Sequence, residues 1–283
     1  MKTRYLAYLA MASTLAMGAS VSADQPATVT EVVNDVERGS QGSTDYSPAS
    51  KGTPVHDGQD VKTGIQSRAE LRLPTTSITR LGANTIFNYS VETNTIDLQA
   101  GTILFCKPKD APHLNVKTAA VTAGIVGTTG FISIRGEGSK ATYVLGIIEG
   151  HATATADGHP FLIGSGDILE FKSGIRPFVF AYDLPRFVKS SALVNKFKGT
   201  LPNQAYIDRA VASYQEDASR GFITSPSHSI DYSGDIPILS TTDLSSAMNS
   251  LNPSSKGAPP PPPQQSSSPG YNGNSFPGNS SYH

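Results

Sequence analysis

The sequence predicts a mainly β fold, and three observations carry that prediction. Short runs of alternating or β-branched residues recur from Thr28 to Val179. Glycine-centred turn signals separate them at a spacing of about 8 to 15 residues. Clear helical periodicity is absent until Leu184. Alternation puts one set of side chains inward and the other in water, which is the mark of half-buried strands. The pattern suits a single β-sandwich, a roll or a β-solenoid-like domain. Two short α-helices and a C-terminal tail are expected to follow it.

In chain order, Val29-Thr30-Glu31-Val32-Val33 and Ala69-Glu70-Leu71-Arg72-Leu73 open the series of strands. Ile86-Phe87-Asn88-Tyr89, Ile103-Leu104-Phe105 and Phe131-Ile132-Ser133-Ile134-Arg135 continue it. Thr142 to Ile148 and Asp167-Ile168-Leu169-Glu170-Phe171 complete it. Three turns pair glycine with a carboxylate: Asp57-Gly58-Gln59-Asp60-Val61, Glu149-Gly150-His151 and Gly166-Asp167-Ile168. Glycine reaches positive φ at low steric cost and a neighbouring Asp caps the turn locally, so each reads as turn chemistry before it reads as a ligand loop.

Leu184-Pro185 opens the first expected helix, with Phe187, Val188, Leu193 and Val194 as a modest apolar face. The second runs from an N-cap at Asn203, with Tyr206, Ile207, Ala210, Val211, Tyr214 and Ala218 at helical spacing. Gly221 stands where a left-handed C-terminal residue belongs. This face is expected to pack on the β domain.

The two ends of the chain are expected to stand apart from the fold. Lys2 and Arg4 precede an apolar run from Tyr5 to Gly18, and Val21-Ser22-Ala23 offers small residues to a signal peptidase. Residues 1–23 therefore read as a secretory signal peptide, cut after Ala23. The run is too short for a membrane anchor, which needs about 20 apolar residues. From about residue 223 to His283 the composition turns to Ser, Pro, Asn and Gly, with a proline run from Pro259 to Pro263. Such a segment buries too little apolar surface to offset its ordering entropy and is expected to be disordered, the proline run forming a stiff polyproline II rod. A short island from Ile236 to Met248 is the part able to pack back. These boundaries leave an all-β domain at 24–182 and a helical extension at 183–222, in a periplasmic or secreted and soluble product.

Composition narrows the function. The 283 residues carry 22 Lys+Arg against 23 Asp+Glu, and only 16% are charged. Removal of Lys2 and Arg4 with the signal leaves 20 positive against 23 negative charges. A chain so balanced lacks the basic stripe that a nucleic-acid partner or an anionic membrane surface requires. The single Cys106 excludes an intrachain disulfide and every multi-cysteine metal site, and at the end of an apolar strand it reads as a small buried hydrophobe.

A search for catalytic or cofactor chemistry returns nothing specific. Gly124-Ile125-Val126-Gly127-Thr128-Thr129-Gly130 is glycine-rich, but no Lys-Ser/Thr follows and the chain continues as a strand, so it is not a P-loop. Gly164-Ser165-Gly166 lacks the nucleophile-elbow spacing. Of the histidines (His56, His113, His151, His159, His228 and His283), only His151 and His159 could flank one hairpin and share a metal. Asp97, Glu149, Asp167 and Glu170 supply carboxylates, but sequence does not place two at the separation that glycoside hydrolysis needs. No cofactor and no metal are expected, and the chain is not expected to be an enzyme.

One resemblance says more. Asp57-Gly58-Gln59-Asp60-Val61-Lys62-Thr63-Gly64 precedes Ser67-Arg68-Ala69-Glu70-Leu71-Arg72-Leu73, then Leu81-Gly82-Ala83-Asn84-Thr85 and Ile96-Asp97-Leu98-Gln99-Ala100-Gly101. Val116-Lys117-Thr118-Ala119-Ala120-Val121 leads into Gly127-Thr128-Thr129-Gly130-Phe131, and Ile147-Ile148-Glu149-Gly150 closes the series. This order, from about Gly52 to Phe171, resembles the FecR domain, named after the periplasmic iron-dicitrate regulator. Family members commonly carry Arg before the Gly-Thr pair, where this chain has Val126. The regulators also cross the inner membrane, and the leader read here implies no such span. The resemblance implies an all-β module outside the cytoplasm that senses, binds or scaffolds, with no catalytic residues. Its partner is expected to be a protein or another envelope component. The most family-like segment, Gly127, Thr128, Thr129 and Gly130, is the candidate interface. A structural envelope protein with a proline-rich spacer is the alternative, and a β-fold enzyme acting on polysaccharide stands behind it.

Overall fold

The computed structural model describes residues 25–223, 230–232 and 238–239. The expected signal peptide, the proline run and most of the expected tail lie outside the described residues. The N-terminal half comprises β1 (Ala27–Val33), β2 (Val36–Ser40), β3 (Tyr46–Pro48), β4 (Pro54–Val55), β5 (Gln59–Thr63), β6 (Arg68–Arg72), β7 (Ile78–Leu81) and β8 (Ile86–Ser90). A long central strand, β9 (Thr95–Cys106), follows. Next come β10 (Leu114–Lys117), β11 (Val121–Ile125), β12 (Thr129–Arg135), β13 (Thr142–Glu149), β14 (His151–Ala156), β15 (His159–Gly164), β16 (Asp167–Lys172) and β17 (Ile175–Ala181).

These strands form two facing layers, and hairpins alternate between them. One layer, the capped sheet, runs β4–β1–β6–β7–β9–β12–β13–β16–β17. The other, the open sheet, runs β3–β2–β5–β8–β9–β10–β11–β14–β15. Among these pairings only β9 with β10 is parallel. Of the three architectures the sequence left open, the sandwich is therefore the one that forms, with its sheet not closed. Strand β9 belongs to both layers. Thr95 to Ala100 pair in the open sheet with β8, and Gly101 to Cys106 pair in the capped sheet with β12. The crossing falls at Gly101, whose φ of +82° suits glycine, and a Cβ there would come within 2.5 Å of the Thr85 backbone.

The main core lies between the layers and takes every second residue from each: Ile103 and Phe105 from β9, Ile132 from β12 and Leu145 from β13. The alternate residues of the capped sheet, Leu104, Cys106, Phe131, Val144 and Ile148, point outward into a second apolar cluster. That explains why these strands read as unbroken apolar runs: both faces are covered. In β14 the pattern alternates buried Ala with exposed His or Thr, because the outer face of the open sheet meets water.

The cover is helical. α1 (Leu184–Ser190), α2 (Ala192–Asn195) and α3 (Gln204–Ser219) lay Leu184, Phe187, Leu193 and Ile207 on the capped sheet. Phe187 and Tyr182 pack their rings against Phe131 at centroid distances of 4.9 and 6.0 Å from it. The first expected helix is two helices, because Ser191 takes ψ 125° and breaks the run. Its start is capped by Asp183, which accepts from the Arg186 amide. Gly221, at φ +77°, ends α3 as read from the sequence. Within the stretch expected to be disordered, β18 (Ile230–Asp231) pairs with β19 (Ile238–Leu239), and the Tyr232 hydroxyl accepts from the Asp183 amide at 2.7 Å. The rest of the Ile236–Met248 island lies outside the described residues.

Candidate functional site

Gly127, Thr128, Thr129 and Gly130 are all buried, at the junction where the open sheet hands the chain to the capped sheet. Gly127 turns the chain at φ +62°. The Thr128 hydroxyl donates to the His151 carbonyl at 2.7 Å, tying β12 to the start of β14. Gly130 leaves room for its neighbours, since a Cβ there would stand 2.6 Å from the Gly146 carbonyl and 2.7 Å from the Phe105 ring. The exposed member of this stretch is Val126, the position where the resembled family commonly has Arg.

Thr129 is the inner end of a buried polar cluster. Its hydroxyl donates to Glu149 Oε1 at 3.1 Å and lies 3.3 Å from Cys106 Sγ. Asn203, at the start of α3, closes the cluster. Its Nδ2 stands 2.7 Å from Glu149 Oε1, 2.9 Å from the Lys107 carbonyl and 3.2 Å from Thr129 Oγ1. Asn203 thus occupies the N-cap position read from the sequence, but its side chain makes no cap bond. It spends its donors on the sheet, where unpaired acceptors would cost more than an uncapped helix end. Burial holds the Glu149 carboxyl above its ordinary range against the lowering effect of the Thr129 and Asn203 donors. Burial pushes the Cys106 thiol up to about 11, so it is neither exposed nor a thiolate at neutral pH.

A second cluster pins the other side of the extension. Arg80 on β7 is fully buried, and its Nε donates to Glu70 Oε2 on β6 at 2.8 Å. Its Nη1 donates to the carbonyls of Leu193 and Val194, both at 2.9 Å, and its Nη2 to the carbonyl of Gly199. Thr30 on β1 donates to the other Glu70 oxygen at 2.8 Å, and the guanidinium lies over the Phe197 ring. A planar fork with five donors is the side chain that can meet this fan of acceptors. Neither Arg80 nor Glu70 was singled out from sequence. A charged pair alternating with Leu71 and Leu81 reads as the wet face of a hairpin, and only the covering helices bury it.

The other candidates do not converge. His151 and His159 sit opposite Gly164 and Ala156, at opposite ends of the β14–β15 hairpin, which separates them by roughly 17 Å and removes the shared metal. Asp97 lies at the β9–β10 pairing, Glu149 under α3, Asp167 in a turn accepting from the Gly164 amide, and Glu170 on the outer face of the capped sheet. Among the described residues no group of three or more His, Cys, Asp or Glu could hold a metal ion. This arrangement positions the extension on the sheet. Replacing Asn203 by leucine is expected to destabilise the chain by about 1–3 kcal/mol, by leaving Glu149 with Thr129 as its one remaining side-chain donor and removing the amide that serves the Lys107 carbonyl. Urea unfolding reads that loss, and faster labelling of Cys106 by a thiol reagent reports the loosened helix.

The family model described as FecR protein matches residues 59–153. Over those residues the chain is similar to a FecR domain. The match covers about a third of the sequence, from the first residue of β5 into β14. The FecR segment holds Glu70, Arg80, the Gly127–Gly130 junction and Glu149, while the groups that dock on it, from Leu193 to Asn203, lie outside. Two crystal structures of a proposed anti-sigma factor from Parabacteroides distasonis are similar in shape. One is 12% identical with a TM-score of 0.41, over 48% of this chain and 64% of that one. The other is 11% identical with a TM-score of 0.39, over 43% and 59%. The chain thus spans less than two thirds of each. No curated protein matches the sequence.

Proposed function

We propose that the protein is a non-catalytic, FecR-like sensing or scaffolding module that works outside the cytoplasm and binds a protein or another envelope component. The observation that carries this reading is the FecR segment itself, whose polar side chains at the junction are spent on internal packing. The four carboxylates that could have served a hydrolase stand in four different places, which weighs against the polysaccharide-acting alternative. Among the described residues no helix is long and apolar enough to cross a membrane. The role in transmembrane signalling that the iron-dicitrate regulator performs is not part of this proposal.

The reading is tested by expressing the full chain with a C-terminal tag, fractionating the cells and sequencing the N-terminus. Recovery outside the cytoplasm, beginning at Asp24, with a partner captured by crosslinking in the native envelope, is the expected result. An uncut chain retained in the cytoplasm overturns the localisation. Hydrolysis of any member of a polysaccharide panel by the purified chain overturns the non-catalytic assignment.

A further inference from the structure

The crossing of β9 from one layer to the other opens the sandwich at one end. Strands β9 and β10 run together only as far as Asp97 and Lys117. Beyond that, β9 bends toward the capped sheet while β10 turns back at Thr118. The gap between them is a cleft of about 310 Å³, walled by Asp97, Gln99 and Lys117 and floored by Ile134 and Tyr143. On the far side of the same β10–β11 turn lies a second cleft of about 400 Å³, lined by Ser139, Tyr143, Asp157, Phe171 and Ser173 among others. Tyr143 lines both.

The dividing turn and the aromatic wall are both held in place. The Thr118 hydroxyl accepts from the Val121 amide at 2.9 Å, and the Thr118 amide donates to the Val121 carbonyl at 2.8 Å. Phe171, itself buried, stacks on the half-buried Tyr143 ring with centroids 6.1 Å apart and planes 27° apart. The rim is not satisfied internally. Among the described residues the side chains of Asp97, Lys117, Ser139, Tyr143 and Ser173 make no hydrogen bond within the chain.

We propose that this double cleft binds a neutral oligosaccharide that lies across the Tyr143 ring. The signs on the rim are mixed, Asp97 and Asp157 against Lys117, so no anion or phosphate backbone is selected. The strands that line the clefts, β9, β10, β13 and β16, are paired on both sides except at Leu98–Ala100 of β9, an edge too short to receive an extended peptide. A backed aromatic ring beside hydroxyl, carboxylate and carboxamide groups matches the apolar face and the donor–acceptor rim of a sugar. The cleft is separate from the Gly127–Gly130 junction, and the proposal stands independently of where the chain resides.

Titrations of the purified chain with cellotetraose, chitotetraose and maltotetraose, followed by calorimetry and tyrosine fluorescence, test it. At least one sugar is expected to bind saturably to the wild type. Tyr143→Ala is expected to weaken that binding about tenfold or more, whereas Tyr143→Phe stays within about threefold. The Asp97→Asn, Ser173→Ala double variant leaves the aromatic stack intact and is expected to weaken binding even if Tyr143→Ala fails to fold. No binding of any of the three sugars at about 10 mM overturns the proposal. So does unchanged affinity in the double variant or in a folded Tyr143→Ala chain. A chain that binds sugar yet is found in the cytoplasm sinks the localisation and leaves this site standing.

Discussion

Replacing Arg80 by alanine is expected to cost about 3–5 kcal/mol of stability, the range for removing one partner of a buried charge pair. The guanidinium serves acceptors from two parts of the chain at once: Glu70 on β6, and the carbonyls of Leu193, Val194 and Gly199 in the extension. Its loss leaves the Glu70 carboxyl without its cationic partner and only 10% exposed at the side chain, and orphans the carbonyls that end α2. Arg80→Lys is expected to recover little, because a point ammonium cannot reach four acceptors arranged as a fan. Chemical denaturation measures the loss. Amide hydrogen exchange locates it, with residues 193–199 losing protection before the centre of the sandwich does. An Arg80→Ala chain within about 1 kcal/mol of wild type would show that the extension is held by its apolar face alone.

The second large effect is one of pH. Glu170 lies on the outer face of the capped sheet, between Val144 and Phe178 on the neighbouring strands, and is 3% exposed. Burial pushes its carboxyl up to about 7, against the opposing pull of Arg135 and Lys172. The folded chain therefore keeps a proton that the unfolded chain has lost between an ordinary value of 4.5 and about 7. Stability contributed by this group is present at low pH and falls as pH rises through that window, levelling off above it. The full span is worth about 3 kcal/mol. Glu149 and Asp167, also raised by burial, tilt the curve the same way. Glu170→Gln is expected to be more stable than wild type at pH 8 by about that amount, with the difference closing toward pH 4.5. Unfolding free energies measured between pH 4.5 and 8 decide the point, and a constant difference across the range would contradict it.

Legibility in the sequence followed the physics of burial. The strands around Ile86, Phe131, Thr142 and Asp167 were plain because their apolar residues are dense enough to mark a pleat. β14 and β15, with their Thr-Ala alternation and Pro160, show in the sequence only as a hairpin that His151 and His159 could flank, and the short β3 and β4, with Pro48 and Pro54, carry little apolar signal and are absent from the strands read there. The family-like segment from about Gly52 to Phe171 is readable as an ordered series of turns and strands, and the family match at residues 59–153 lies within it. Its role at Gly127–Gly130 is not, since whether a Thr faces solvent or a covering helix depends on residues about 75 positions away. Asn203 shows the same limit: its position at a helix start is local, but its partners Lys107, Thr129 and Glu149 are not.

The cover over the capped sheet comes late in the chain, which sets the order in which the molecule can mature. Arg80 finds its carbonyls 113 to 119 residues downstream. Until residues 184–207 have been made, Leu104, Phe131 and Ile148 present a wet apolar face, and the Arg80–Glu70 pair stands open to solvent. A nascent or truncated chain ending before Leu184 has all the strands of its sandwich and still exposes the kind of surface that chaperones hold and that aggregates. The last short helices are the closing step of the domain as a whole.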